Sequence, residues 1–144
     1  MPERTESRLS DAILAQVPEA IIFADCDGLI RLWNRGAELL FGFAAADVIG
    51  ASLDIIIPER LRQAHWEGFR RAVASGDTRS GNRVRTTRAV HQSGGKLYVD
   101  LSFGLVKDGS GAVIGSVAVG RDCSVRYLAE RALRERLAAL EGSS

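Results

Sequence analysis

The fold is decided by residues 20–43, which read AIIFADCDGLIRLWNRGAELLFGF. Ala20–Ala24 is an apolar run with β-branched members, and this composition predicts a strand. Asp27 and Gly28 follow, and because glycine adopts positive φ without strain, the pair predicts the turn of a β-hairpin. The apolar residues of Leu29–Leu32 then predict the second strand.

A short helix is predicted to follow this hairpin. Asn34 is suited to the N-cap because its side-chain oxygen can accept a hydrogen bond from an unpaired backbone N–H. Leu39, Leu40 and Phe43 supply an apolar stripe at helical spacing, and Gly42 lies where the helix is expected to stop. The order strand, turn, strand, helix is therefore expected over this stretch.

The rest of the chain predicts further helices and three more strands. Ser10–Gln16 and Glu59–Ser75 carry apolar residues at helical spacing. Runs of strand-like composition, separated by glycine-rich turns, follow at Asn82–His91, Lys96–Lys107 and Ala112–Arg121. Because strands joined by short turns pair antiparallel, the predicted fold class is α+β.

Length and charge limit the possible functions. A chain of 144 residues most often forms one domain. The formal net charge of +1 gives no electrostatic case for direct binding to nucleic acid. No apolar stretch reaches the ~20 residues that span a bilayer, and the N-terminus lacks the apolar region of a secretion signal. We therefore expect a cytoplasmic protein that binds neither nucleic acid nor membrane, with Cys26 and Cys123 as free thiols.

Several short motifs of the chain, by their order and spacing, resemble those of PAS domains from about Leu9 to about Tyr127. They are Asp27-Gly28, Asn34, residues 40–43 (LFGF), Gly50, Gly94-Gly95 and residues 120–124 (GRDCS). The last resembles the Asp-Ile-Thr ending common in the family, with cysteine and serine as departures. The resemblance implies a PAS fold of α+β class: a five-stranded antiparallel sheet, helices packed on one face and a C-terminal signalling helix. Residues 1–8 would be a flexible N-terminus, 9–123 the PAS domain and 124–144 the linker helix.

The resemblance also implies a function. It indicates a sensory and dimerisation module of a bacterial signalling protein, whose core binds a small ligand or cofactor. The state of the core would be relayed to an effector domain in the same chain, either a histidine kinase of a two-component system or a transcriptional regulator. No spacing of serine, histidine, cysteine and carboxylate residues indicates catalysis, so we do not expect an enzyme.

Asp122 and the helix after it are the expected signalling elements. In the family this aspartate ties the end of the sheet to the linker helix. Leu133, Leu137 and Leu140 have the four-three spacing of a short coiled coil, which favours a homodimer. The stretch is too short to hold a dimer alone, so the N-terminal helix or the sheet face would contribute. The alternative is a helix that folds back over its own sheet.

His65 is the candidate metal ligand, because the chain locally resembles the oxygen-sensing haem kinases of rhizobia. Those proteins place their iron-binding histidine on the long helix of a PAS domain. The resemblance implies haem binding by His65, Arg85, Leu101 and Phe103, with Arg85 contacting the gas and the two apolar residues lining the distal side. The alternative is that His65 is an ordinary half-buried residue of the helix.

Flavin is disfavoured. Light-sensing relatives need a cysteine in an Asn-Cys-Arg motif before the long helix, but residues 52–57 here read SLDIII. Redox relatives usually carry a tryptophan just after the glycine that ends the long helix, whereas Gly76 is followed by Asp77 and Thr78.

A small organic ligand is the broader expectation. With Leu101 and Phe103, the predicted pocket consists of Ile22, Leu39, Ile56, Phe69, Thr87 and Val117. Arg85 or Thr87 would anchor a polar group of the ligand. The alternative is that these side chains fill the core themselves, which would make the chain a ligand-free structural domain for protein–protein interaction.

Overall fold

The computed structural model describes residues 2–77 and 84–142, with side chains from residue 8 onward. The chain folds into helices packed around one antiparallel sheet. In chain order the elements are α1 (Pro2–Gln16), β1 (Ala20–Asp25), β2 (Ile30–Trp33), α2 (Arg35–Phe41), α3 (Ala45–Val48), 3-10 turns at Leu53–Ile56 and Glu59–Leu61, α4 (Arg62–Ser75), β3 (Arg85–Val90), β4 (Lys96–Lys107), β5 (Val113–Asp122) and α5 (Ser124–Gly142).

The sheet has five strands in the order β2-β1-β5-β4-β3, and neighbouring strands run antiparallel. The predicted α+β fold with a five-stranded antiparallel sheet is therefore confirmed. Pairing of β1 with β5 joins the first hairpin to the last strand, with Ile22 opposite Ala118. Strands β2 and β3 are the edges of the sheet.

The first hairpin forms around Asp25 and Gly28. The Asp25 carboxylate accepts hydrogen bonds from the backbone N–H groups of Asp27 and Leu29, both at 3.0 Å. Gly28 has φ of 78°, and a Cβ there would overlap the ring of Trp66. Glycine is therefore required for both the backbone conformation and the close approach of α4. The Arg31 guanidinium, at 2.8 Å, holds the pKa of Asp25 below its usual value.

Asn34 is buried and does more than cap α2. Its Oδ1 accepts hydrogen bonds from the N–H of Ala37 at 2.9 Å and of Ile21 at 2.8 Å. Its Nδ2 donates to the carbonyl oxygens of Leu14 and Glu19, both at 3.0 Å. The predicted N-cap is confirmed, and the same side chain also fastens the end of α1 and the start of β1 to α2.

The core lies between the sheet and the helices that follow the first hairpin. Its largest fully buried side chains are Phe41, Ile30, Val48 and Val99. Trp33 packs against Phe41, with ring centroids 5.5 Å apart, and donates from Nε1 to the carbonyl oxygen of Phe43 at 3.0 Å. These contacts place α2 and α3 on the face of the sheet that also faces α4.

Three predicted element starts differ from the observed ones by three residues or more, and other strand ends differ by one residue. Helix α1 begins at Pro2 instead of Ser10. A 3-10 turn at Glu59–Leu61 precedes α4, so the regular helix starts at Arg62. Strand β3 begins at Arg85, and the predicted start at Asn82 lies outside the described residues.

Candidate functional site

A cavity of about 120 Å³ lies between the sheet and the segment that leads into α4. Its wall is mostly apolar and is formed by Ile22, Ala24, Leu53, Ile56, Ile57, Leu61, His65, Thr87, Arg88, Ala89, Leu101, Phe103, Ser116 and Ala118. An apolar cavity of about 150 Å³ is enough to bind benzene, whereas drug-sized ligands occupy about 300–1,000 Å³. The cavity therefore suits a molecule of about the size of benzene or smaller.

His65 is the one ionisable side chain that α4 contributes to the cavity wall. Within the described residues its Nδ1 is buried and has no hydrogen-bond partner. Burial lowers the pKa of His65 below 6.5, and the charge of Asp54 opposes this shift only in part. The neutral imidazole therefore leaves one buried polar atom unsatisfied within the described residues, at a cost of about 1–3 kcal/mol.

The position of His65 is fixed by its neighbours on α4. Trp66 packs edge-on against the imidazole at 4.6 Å between ring centroids, and Phe69 stacks on it at 6.1 Å. The indole Nε1 of Trp66 donates to the Asp54 carboxylate at 2.7 Å. Arg62 donates to the carbonyl oxygens of Ile57 and Asp54 at 3.1 and 3.2 Å. The start of α4 is thereby fastened to the preceding 3-10 turns.

Six of the residues predicted for the core site lie in this cavity wall. They are Ile22, Ile56, His65, Thr87, Leu101 and Phe103. Cross-strand pairing brings Thr87 opposite Val99 and Phe103 opposite Ala118, so β3, β4 and β5 contribute neighbouring parts of the wall. The role of these residues in binding remains a prediction.

Leu39 and Val117 do not line the cavity, and these two expectations are corrected. Leu39 lies on α2 with its side chain 70% exposed. Val117 faces away because Ser116 and Ala118, its neighbours on β5, line the cavity, and successive residues of a strand point to opposite faces. The sequence signal was available: Ser116 and Ala118 are small, and small side chains leave space beside larger ones.

Phe69 and Arg85 also lie outside the cavity wall. Phe69 packs against His65 and Trp66 on α4, so it supports the wall without forming it. Arg85 is the cross-strand partner of Leu101, but it begins the edge strand and is exposed. Arg88 borders the cavity between Thr87 and Ala89, but because successive residues of a strand point to opposite faces, its side chain lies on the other face of β3.

A hydrogen-bonded junction joins the sheet to α5. The Asp122 carboxylate accepts from the N–H of Ser124 at 2.8 Å. The Ser124 hydroxyl accepts from the N–H of Tyr98 at 3.0 Å and donates to its carbonyl oxygen at 3.4 Å, and that carbonyl also accepts from the N–H of Cys123 at 2.8 Å. Burial and the nearby Asp100 carboxylate raise the pKa of the Cys123 thiol, so it stays protonated. Sequence reasoning missed Ser124, although its hydroxyl stands where the family motif has threonine.

Among the described residues, the ring and ion-pair contacts of helix α5 with the sheet lie near its start. Tyr127 stacks on Tyr98 of β4 at 4.1 Å between ring centroids, and Arg126 pairs with Asp100 at 2.9 Å. Leu133, Leu137 and Leu140 are 57%, 51% and 68% exposed. The alternative of a helix folded back over its sheet is therefore wrong for the part of α5 that carries these leucines.

The cavity is too small for the haem that the sequence resemblance implies. His65 offers an imidazole, but a haem is larger than most drug-sized ligands and the cavity holds only about 120 Å³. The residues present do not fit a haem in this packing. Among residues 2–77 and 84–142, no cluster of three or more histidine, cysteine or carboxylate side chains is placed to hold a metal ion.

Within the described part of the chain, no helix has both the length and the apolar character that crossing a bilayer requires.

Residues 8–123 match the family model described as PAS fold. The chain is 29% identical over 106 residues to the sensor protein FixL of Bradyrhizobium diazoefficiens, an alignment that covers 74% of this chain and 21% of FixL. It is 29% identical over 112 residues to the oxygen sensor protein DosP of Escherichia coli, covering 78% of this chain and 14% of DosP. The match thus spans about a fifth or less of these curated relatives.

The fold is also similar to a solved crystal structure, the PAS domain of a protein from Colwellia psychrerythraea. The TM-score is 0.70 at 20% sequence identity, and the superposition covers 81% of this chain and 96% of the other. At this identity the likeness concerns the fold alone.

Proposed function

This chain belongs to the PAS family, and from that premise we propose that it is a sensory module whose cavity binds a small, mainly apolar molecule. The bound state is relayed through α5 to an effector domain, either a histidine kinase or a transcriptional regulator. One observation carries the proposal: an apolar cavity of about 120 Å³ whose wall includes His65, a residue with a buried nitrogen that has no partner within the described residues.

The chemistry of the cavity describes the ligand. An apolar body no larger than about a benzene ring matches the volume and the wall. A hydroxyl group matches His65, because Nδ1 of a neutral imidazole is either donor or acceptor and a hydroxyl can be both. A small alcohol or phenol satisfies both requirements.

The relay follows the strands that border the cavity. Leu101 lies in the cavity wall and pairs with Gly120, where a Cβ would overlap the Leu101 side chain. Gly120 precedes Asp122 and Ser124 on the same path into α5. The Leu101 side chain is in close contact with Gly120. A shift of β4 on ligand binding would therefore also displace Gly120 and the junction that follows it.

Phenol and benzene are suitable probes of this proposal. We expect both to shift NMR signals of cavity residues, with phenol binding about fivefold or more tighter, since an added hydrogen bond contributes about 1 kcal/mol. Ala118→Leu should abolish both interactions by filling the cavity, whereas Val117→Leu on the opposite face should preserve them. Equal binding of the two probes, or unchanged binding by Ala118→Leu, would contradict the proposal.

A haem-based gas sensor with His65 as iron ligand is the second candidate. The similarity to an oxygen sensor protein and an Nδ1 without a partner among the described residues favour it, while the cavity volume opposes it. Protein expressed with added haem should be colourless if the small-ligand proposal holds. A Soret band that disappears in His65→Ala would establish the haem alternative instead.

A ligand-free interaction domain is the third candidate, favoured by the exposed leucines of α5. Failure of both phenol and benzene to bind, together with dimerisation of the same sample, would support it.

A further inference from the structure

A second concavity lies at the exposed edge of the sheet, where β3 and β4 face the start of α5. It has a volume of about 450 Å³, and we call it the basic cleft; its charged and aromatic residues are Arg60, Arg88, Lys96, Tyr98, Tyr127 and Arg131. Strand β3 separates it from the apolar cavity, and Thr87 and Arg88 border both.

The basic cleft concentrates positive charge. Among the described residues, four cationic side chains and no carboxylate line it, in a chain whose formal net charge is only +1. Within residues 8–77 and 84–142, Arg60, Arg88 and Lys96 form no ion pair. Arg131 pairs with Glu135 at 3.2 Å, and Asp100 is engaged by Arg126. The charge in the cleft is therefore largely uncompensated by the protein.

Two tyrosines add hydroxyl donors to this cluster. Tyr98 and Tyr127 stack at 4.1 Å, and neither hydroxyl has a hydrogen-bond partner in the part of the chain that the structure describes. Tyr98, Tyr127 and Arg131 all line the basic cleft, and Tyr127 and Arg131 are four residues apart on α5, so they lie on the same side of that helix. Hydroxyl and guanidinium donors thus converge on one place.

This arrangement selects the class of ligand. A monocarboxylate can be held by one arginine, whereas several cations around one concavity repel one another until a multiply charged anion enters. Phosphate groups have the charge and the oxygen atoms that guanidinium groups bind in pairs. We propose that the basic cleft binds a small phosphate-bearing molecule, and that the bound anion fastens the start of α5 to the edge of the sheet.

A bound anion would hold α5 to the sheet because both elements supply hydrogen-bond donors to the basic cleft. Arg88 belongs to β3, Lys96 and Tyr98 to β4, and Tyr127 and Arg131 to α5. An anion that contacts all of them crosses from the sheet to the helix, next to the junction at Ser124. Binding therefore stabilises the docked position of α5 independently of the apolar cavity.

Calorimetric titration of the 144-residue chain with pyrophosphate at low salt tests the proposal. We expect saturable binding that weakens about tenfold or more in Lys96→Glu and in Arg131→Glu, both exposed positions whose substitution leaves the core intact. Arg136→Glu makes the same change of charge on α5 outside the cleft and should bind pyrophosphate almost as the wild type does. Amide hydrogen exchange in the first turns of α5 should slow when pyrophosphate binds.

Further ligands separate the possible sources of phosphate. ADP binding more tightly than pyrophosphate identifies a nucleotide, and equal affinities identify the phosphate groups alone; both outcomes support the proposal. No saturable binding of pyrophosphate or ADP overturns it, as does an equal loss of affinity in Arg136→Glu. Binding of a short RNA oligonucleotide about a hundredfold more tightly than ADP also overturns it, in favour of a nucleic-acid surface.

Discussion

The imidazole of His65 should make the stability of this domain depend on pH. Burial holds its pKa in the folded protein below the value of 6.5 that it has in the unfolded chain. Between those two values the unfolded chain binds a proton that the folded protein does not. The free energy of unfolding therefore falls as the pH is lowered below about 6.5. Above that pH the imidazole is neutral in both states, and the stability that its burial depends on is fully retained.

Urea unfolding at about pH 7.5, 6.5 and 5.5 measures this effect. We expect the wild type to lose more stability over this range than His65→Gln, whose amide does not titrate. A hydroxyl-bearing ligand that pairs with the neutral imidazole should enlarge the difference. Parallel pH curves for the two proteins would show that His65 is not the responsible group.

Single residues were predictable from sequence where one local interaction decides their role. Asn34 and Gly28 are such cases, because an N-cap and a hairpin turn each need a particular residue. Leu39 and Val117 were not, because the apolar character of a side chain does not say which face it takes. Ser124 depends on Tyr98, 26 positions away in sequence, and no local pattern shows that pairing.

Among the elements, α5 is the one whose attachment matters most for the proposed relay. It has no buried residues, and its fixed contacts with the sheet involve residues 122–127. An element held by a few hydrogen bonds at one end can be released at little cost, as a relay requires. Sequence reasoning could identify Asp122 as part of this attachment, but the contribution of Tyr98 depends on how β4 and β5 pair.

Substitutions at the junction should loosen α5 without unfolding the sheet. Asp122→Ala and Ser124→Ala each remove hydrogen bonds worth about 0.5–2 kcal/mol, so we expect the melting temperature to fall by only about 2–8 °C. Amide exchange in the first turns of α5 should accelerate in both variants. In a full-length protein with its effector domain, Asp122→Ala should uncouple input from output.

Asp122→Asn is the matched control, because the amide oxygen can still accept from the N–H of Ser124. It should keep slow exchange in α5 and normal output. Wild-type signalling by Asp122→Ala, or loss of the folded sheet in that variant, would show that the junction is not a relay.

At the scale of the whole molecule, the fold leaves apolar surface at both ends of the chain. Leu9 and Ile13 on α1 are 60% and 52% exposed, and the leucines of α5 are similarly open. The fold class was predictable because each hairpin carries its own turn signals. What these surfaces bind was not predictable from sequence, since the contacts with a partner lie outside a single chain.

We expect these surfaces to form a homodimer in which α5 pairs with α5 of a second copy. Leu133, Leu137 and Leu140 span about one and a half heptads, which is too little for a stable coiled coil alone, so the dimer should depend on protein concentration. Sedimentation velocity of the wild type should show a monomer–dimer equilibrium. Leu137→Lys should shift it to monomer by placing a charge in the seam, whereas Ala139→Lys adds the same charge about 200° away around the helix and should leave it unchanged. A wild type that is monomeric at all concentrations, or a dimer that survives Leu137→Lys, would mean that α5 meets its partner only within a longer chain or through a different face.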